Sequence, residues 1–365
     1  SILFFLGYTY VFLIDQAAYN NHFYLICLLS FILALAPLNS SYSLDVLRGN
    51  VSQVEKLPAF WLWLIRFHMG VVYFYGGIAK FDPDWLGGLA TKELMSIANR
   101  GTVLESLIEY AWVPYFYAWA GMLFDLLIPF LMLWKPVRKW VFLAAVLFHI
   151  NNYLVFPIGI FPVLSIVMTL MFFDAEFPKR MTHRRLRKWI SFHYYERLSK
   201  VEKKHTEVEN LDNRRSISRI LLLFIGLYSA VHIVLPFRHL LYPGVTNWHE
   251  EGHYFAWRMM LRQKITRVQF NVTHPKTGEQ RYADPIDYLN SSQFKVFAGN
   301  PGMILLFAHH LDKLVQKNAG FDPIISAKID VSLNGRQFRE LVDPNLDLSK
   351  IPPYEPSFNW IKSFD

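Results

Sequence analysis

Over the first two thirds of the chain, apolar residues come in long runs rather than in alternation, and seven of these runs read as helices in lipid. They cover roughly residues 2–14, 22–38, 58–79, 109–134, 137–156, 157–173 and 217–237. Several lie near the lower limit of about 17 residues for a spanning helix, so one or two are expected to be re-entrant or interrupted. Pro157 and Pro162 single out the sixth. The pattern then changes. From Lys264 to Tyr282 apolar and polar residues alternate around Thr273-His274-Pro275-Lys276-Thr277-Gly278-Glu279, which predicts a β-hairpin. Asp330 to Arg336 predicts another strand and turn, and Gly302 to Asn318 carries a helical period between them. The expected fold is a multi-pass α-helical membrane domain over 1–237, with about seven spans, followed by a small strand-containing α+β domain over 238–365 packed on the membrane face.

Composition supports a membrane protein: 53% of the residues are hydrophobic, 17% aromatic and only 18% charged. The formal net charge of +8 is concentrated. Between Lys179 and Arg215 there are 12 Lys and Arg against five Asp and Glu. Beside a hydrophobic span, such a segment is what the positive-inside rule predicts for a cytoplasmic loop, here 174–216, and no nucleic-acid partner is needed to explain it. Lys135, Arg138 and Lys139 fall on the same side by count. The third span therefore ends on the far side, in the compartment that also holds the C-terminal domain. The single cysteine, Cys27, lies in an apolar run, which excludes an intrachain disulfide and a thiolate metal site. The chain opens with Ser1-Ile2-Leu3-Phe4-Phe5 and no charged leader, so further helices are expected to precede it.

Polar groups in or beside the spans carry the chemistry. Lys80 sits at the mouth of the third span, after Gly76-Gly77-Ile78-Ala79. A lysine there either snorkels to the headgroups or is stripped of water and offers an amine as a base. Asp125 and Arg66, inside spans, read first as interhelical ion pairs that fix packing. His149 reads equally as a neutral core histidine or as a site residue, with Asn151 and Asn152 close by. The first loop offers Asp15 and then Tyr19-Asn20-Asn21-His22 at the same boundary as Lys80. An amine with an amide and an imidazole beside it suits deprotonation of an acidic, lipid-soluble hydroxyl such as that of a hydroquinone. No metal site is expected: the one helical pair of histidines, His249 and His253, falls outside the spans.

Several ordered runs resemble a known family. Phe12-Leu13-Ile14-Asp15, Tyr19-Asn20-Asn21-His22, Val72-Tyr73-Phe74, Gly77 to Trp85, His149-Ile150-Asn151-Asn152 and Ile158-Gly159-Ile160-Phe161 are similar, in that order, to the membrane domain of vitamin K-dependent γ-glutamyl carboxylase. Leu235-Pro236-Phe237-Arg238-His239, Asn247-Trp248, Trp257-Arg258-Met259-Met260, Thr277-Gly278-Glu279 and Asp343-Pro344 continue the likeness across the second half. The resemblance implies an enzyme that uses a reduced vitamin K or menaquinol-type naphthohydroquinone, O2 and CO2, and no metal. It implies carboxylation of a protein or peptide glutamate coupled to quinone epoxidation. Lys80 takes the place of the catalytic base, with Asn21 and His22 beside the oxygenated quinone. Tyr19, Asp15, His149 and Tyr73 fall in the quinone pocket, and Trp248, Met259, Met260, Arg262 and Lys264 where the substrate glutamate is handled.

The chain also departs from the animal enzymes. Tyr19 stands for a Trp, Ala79 for a second Lys, Arg262 for a His and Lys264 for an Arg. Together with the cysteine poverty and the end at Asp365, this points to a bacterial homologue in an inner membrane, its active site facing the periplasm. Two alternatives stay open. One is a quinol epoxidase without productive glutamate carboxylation; the other is a non-catalytic membrane protein that binds lipid or quinone.

Overall fold

The computed structural model of the chain describes all residues except 41–42, 55–56, 157, 175–176, 178–179, 181–218 and 365. Nearly all of the expected cytoplasmic loop 174–216 lies outside the described residues. Each apolar run holds a helix: Ile2–Ile14, Asn21–Leu35, Phe60–Ala79, Trp112–Leu133, Arg138–Val155, Phe161–Thr169 and Arg219–Val234. Among the described residues three are long and apolar enough to cross a membrane: Phe60–Ala79, Trp112–Leu133, and Arg219–Leu241 with its 3-10 continuation. The sixth is the shortest of the seven. It begins after Ile160, has Pro162 in its first turn, and tightens into a 3-10 turn at Leu170–Phe172.

The helices meet through small residues. A Cβ on Gly77 would lie 2.7 Å from the Leu126 side chain and 2.9 Å from its backbone nitrogen, so glycine there lets the Phe60–Ala79 and Trp112–Leu133 helices touch backbone to side chain. Among the described residues Arg66 makes no carboxylate pair. Its Nε donates to the Met171 carbonyl at 2.7 Å and its second guanidinium nitrogen to that of Phe173, so this cation ties down the end of the sixth helix instead.

Beyond Ala79 the chain turns sharply for a local reason. Asp82 accepts from the backbone of Asp84 and Trp85, and Pro83 opens the short helix Pro83–Leu86. Two more short helices, Leu89–Ala98 and Glu105–Ile108, lead into Trp112–Leu133.

The C-terminal part is a four-stranded antiparallel sheet in the order β2-β1-β3-β4, formed by β1 Lys264–Thr273, β2 Gln280–Ala283, β3 Ile324–Leu333 and β4 Arg339–Glu340. The predicted hairpin pairs Phe270 with Ala283 and Thr273 with Gln280. The predicted turn follows Leu333, with Asn334 and Gly335 both left-handed. Alternate residues of β3, namely Ile325, Ala327, Ile329 and Val331, pack with Phe270 of β1 against Ile304, Leu305 and Leu311 of the Pro301–Ala319 helix. Their burial drives the closure of this domain.

The segment between the two parts had no readable period. Residues 250–262 form little regular structure, yet Trp257 is 1% exposed in the core of the helical part, and Leu261 is buried beside Ala79 and Trp85. Four residues here, Glu250, Phe255, Trp257 and Met260, have positive φ without being glycine. Each such residue costs about 1–3 kcal/mol and persists only where the surroundings over-determine it.

Candidate active site

Lys80 is the C-terminal cap of the Phe60–Ala79 helix and is 6% exposed. It does not snorkel. Its Nζ lies 2.6 Å from Asp125 Oδ2, donates to the Gly76 carbonyl at 3.1 Å, and stands 5.1 Å from the centre of the Trp85 ring. The Trp85 indole N–H is itself anchored to the Ala118 carbonyl at 2.8 Å. The interhelical ion pair expected of Asp125 therefore exists, and its partner is the proposed base.

The pair lines a cavity of about 500 Å³ between the helices and the 253–262 segment. Asn21 and His22 enter it from the first turn of the Asn21–Leu35 helix, where unpaired backbone N–H groups favour negative charge. Tyr19 lies beside them. Its hydroxyl donates to Asn21 Oδ1 at 3.2 Å and accepts from the Phe255 N–H at 2.7 Å, joining the first loop to the C-terminal segment. Burial pushes this phenol well above its ordinary value, so it stays neutral. His149 faces the cavity from the Arg138–Val155 helix, its Nε2 at 2.7 Å from the Tyr73 hydroxyl and its Nδ1 without a partner among the described residues. Asn151 and Asn152 line the same wall, Asn151 accepting from the Tyr117 hydroxyl at 3.1 Å.

Met259, Met260, Arg258, His253 and Arg262 close the cavity from the C-terminal side. Arg258 donates to Asn247 Oδ1 at 3.1 Å and lies 3.7 Å from Asp82. Arg262 donates through Nε to Glu250 Oε1 at 2.5 Å, and its NH1 meets His253 Nε2 at 3.0 Å. Burial pushes the Glu250 carboxyl up, but the Arg262 and Lys264 cations outweigh it and hold its pKa at about 2. Burial draws Lys264 down to about 8 despite that carboxylate. Burial and the adjacent Arg262 keep His253 well below its ordinary 6.5, so it is neutral.

Of the residues predicted from sequence, Lys80, Asn21, His22, Tyr19, His149, Met259, Met260 and Arg262 meet around this one space. Four do not line it. Tyr73 sits behind His149 and orients it. Asp15 turns away, accepting from the Ala17 N–H at 2.8 Å and the Gln293 side chain at 3.0 Å, where it fastens the first loop to the C-terminal domain. Trp248 is 2% exposed in the sheet-domain core, its indole N–H on the Lys362 carbonyl at 2.8 Å. Lys264 spends its three protons on Glu250, Trp248 O and Gly299 O, at 2.7–2.8 Å, and has none left for a ligand. Sequence reasoning overlooked Arg258 and His253 as walls of the cavity. Both lie in the segment that lacks a period; the signal for Arg258 was its place inside the run Trp257-Arg258-Met259-Met260, and His253 stood out only as the partner of His249.

A helix that ends in a buried lysine, within a helical part whose cavity is closed by the segment leading into a sheet domain, defines a membrane protein with a separate C-terminal domain. Residues 1–177 match the family model of the HTTM domain, and residues 217–365 match that of the vitamin K-dependent gamma-carboxylase, lumenal domain. The chain belongs to the vitamin K-dependent γ-glutamyl carboxylase family. No solved structure matches it.

Proposed function

We propose that this protein is a naphthohydroquinone-dependent carboxylase of protein glutamate, coupled to quinone epoxidation, with Lys80 as the base that takes the quinol hydroxyl proton. The observation that carries the reading is the position of Lys80: an amine 6% exposed, in the wall of a cavity rather than at the headgroups. The residues present fit a naphthohydroquinone. Trp85, Phe148 and Phe161 offer flat apolar walls, and the unpartnered Nδ1 of His149 is free to meet a ring oxygen. When bound with O2, the reduced quinone supplies the strong base that removes a γ-proton from glutamate. The chain's own residues prepare that chemistry. Lys80 accepts a proton at Nζ, while Asn21, His22 and the N–H groups of their helix turn favour developing negative charge. Met259 and Met260 exclude water on the C-terminal side. Arg262 and Arg258 are the cations that line the cavity, where a substrate carboxylate would have to share them with Glu250 and Asp82. CO2 is the second co-substrate. The membrane is a bacterial inner membrane crossed about seven times, with the domain beyond residue 237 and the active site facing the periplasm.

One observation favours the second reading, a quinol epoxidase without productive carboxylation. Both cations first assigned to the glutamate, Arg262 and Lys264, already hold Glu250. A paired assay separates the readings. Purified protein is given reduced naphthoquinone, labelled bicarbonate and a short glutamate peptide, and epoxide and fixed label are followed together. Both products support the carboxylase. Epoxide alone supports the second reading. Neither product, from folded protein with Lys80 intact, sinks both and leaves a lipid- or quinone-binding protein.

A further inference from the structure

Asp125 lines the cavity beside Lys80, and the reaction proposed above gives it no part. Its Oδ2 accepts from Lys80 Nζ at 2.6 Å, and among the described residues no other donor reaches either oxygen. The other enclosed carboxylates differ. Asp82 accepts from two backbone N–H groups and from Asn247, and Glu250 holds two cations. A carboxylate taken out of water ordinarily gathers several donors. Asp125 has one, and that donor is the residue that must become a free amine.

This geometry poses a chemical problem. An ammonium held by a carboxylate has no lone pair with which to take a proton. We infer that Asp125 receives the Lys80 proton when the cavity fills, converting ammonium and carboxylate into amine and carboxylic acid and freeing Lys80 to act as the base. The inference rests on the quinol reading and names the residue that makes Lys80 competent. In the first step an N–H bond of Lys80 breaks and an O–H bond forms on Asp125. In the second, the hydroxyl O–H of the quinol breaks and an N–H bond re-forms on Lys80. No proton enters or leaves the cavity, and no oxidant or reductant is required. The product is a Lys80 ammonium beside a quinolate, with the acid form of Asp125 behind it.

The driving force is loss of solvation. A lone ion pair depends on water or fixed dipoles around it, and a flat apolar ring entering the cavity removes the water. Exchange into two neutral groups then relieves the desolvated charges. The Gly76 carbonyl and the Trp85 ring remain to receive the ammonium formed in the second step. The other titratable or charged groups facing this space are Tyr19 from the first loop, His22, Tyr117 and His149 from the helices, and His253, Arg258 and Arg262 from the C-terminal segment; among the described residues none bonds to Asp125 or Lys80. Asp125 acts through Lys80 and is a positioning residue that also stores a proton.

The test uses intact protein in detergent, without oxygen, and 2-methyl-1-naphthol, a one-hydroxyl analogue of the quinol head that cannot form the epoxide. Infrared difference spectra on binding should show a new C=O stretch of a protonated carboxyl group, sensitive to D2O, while absorbance reports naphtholate. Aspartate labelled with carbon-13 at its side-chain carboxyl should move that band, a result that depends on no variant. Asp125→Asn should bind the naphthol without the band, Asp125→Glu should keep it at a shifted frequency, and Lys80→Ala should lose the naphtholate. Bound naphtholate with no carboxyl band, or a band that survives Asp125→Asn, overturns the inference and leaves the quinol reading standing. Naphthol that does not bind wild-type protein overturns both.

Discussion

Two buried carboxylates of this molecule, Glu250 and Asp125, are built in opposite ways. Glu250 is held by Arg262 and Lys264, and those cations are tied in turn to His253 and to backbone carbonyls. Among the described residues Asp125 has Lys80 alone, at the edge of a cavity. The first arrangement gathers two cations on one carboxylate oxygen, Oε1, and is suited to holding a backbone whose left-handed residues resist their own conformation. The second leaves one proton and one oxygen uncommitted, which a structural ion pair does not require. A carboxylate shared by two cations reads as architecture, and a single ion pair beside a cavity is where chemistry is to be tested.

The sharpest way to break this comparison is Lys80→Ala. Quinol epoxidation should fall by about 10²–10⁴-fold or more, the range for a lost general base. Folding should survive, as checked by the thermal midpoint and elution volume. Epoxide at the wild-type rate would remove Lys80 from the mechanism. Glu250→Ala should do the reverse. Two buried cations lose their counter-charge, and the change should cost about 3–5 kcal/mol of stability, measured by denaturant unfolding. Lys264→Ala belongs with it: epoxide and fixed label should fall together, whereas a selective loss of label would return Lys264 to the glutamate site. A smaller effect is expected for Arg262→Gln, which keeps a hydrogen-bond donor but removes the charge next to the cavity. KM for a glutamate peptide should rise about tenfold with epoxide turnover unchanged.

The smallest effect is one of pH. The unfolded chain takes up a proton on His253 below its ordinary 6.5, which the fold refuses, so stability should begin to fall there on acidification. Glu250 adds to the loss only further down, because its contribution is complete above the ordinary 4.5 and disappears as pH falls toward about 2. Thermal midpoints measured across this range should show the two limbs. His253→Asn should flatten the upper one; an unchanged profile would mean that His253 is not buried neutral.

Much of the fold was legible because lipid enforces long apolar runs and a half-buried sheet enforces alternation. The boundaries of the Phe60–Ala79 helix, the β1–β2 hairpin and the Pro301–Ala319 helix lie within a few residues of the pattern. Spacing also brought Lys80, Asn21 and His22 to one depth. It did not give rotation about a helix axis, so Asp125 was visible as an ion-pair former but not as the partner of Lys80, 45 residues away. Nor did a basic residue near a substrate motif reveal which way it points. Arg262 opens to the cavity, while Lys264, two residues on, is consumed inside the domain. The segment 250–262 was the least readable because its conformation is imposed by what it packs against, and left-handed Phe255, Trp257 and Met260 contradict local preference.

Gly77 sets the helix spacing by backbone contact, and this bears on how freely the membrane part can vary. The separation of Lys80 from Asp125 is fixed by an element with no side chain to mutate gradually, against a neighbour it already touches. The lipid-facing positions of the same two helices, such as Trp63, Leu123, Leu127 and Phe130, lie exposed on the outside and bear no part of that distance. Descendants of this sequence could therefore exchange most of their outer membrane surface while the distance from Lys80 to Asp125 stays the same.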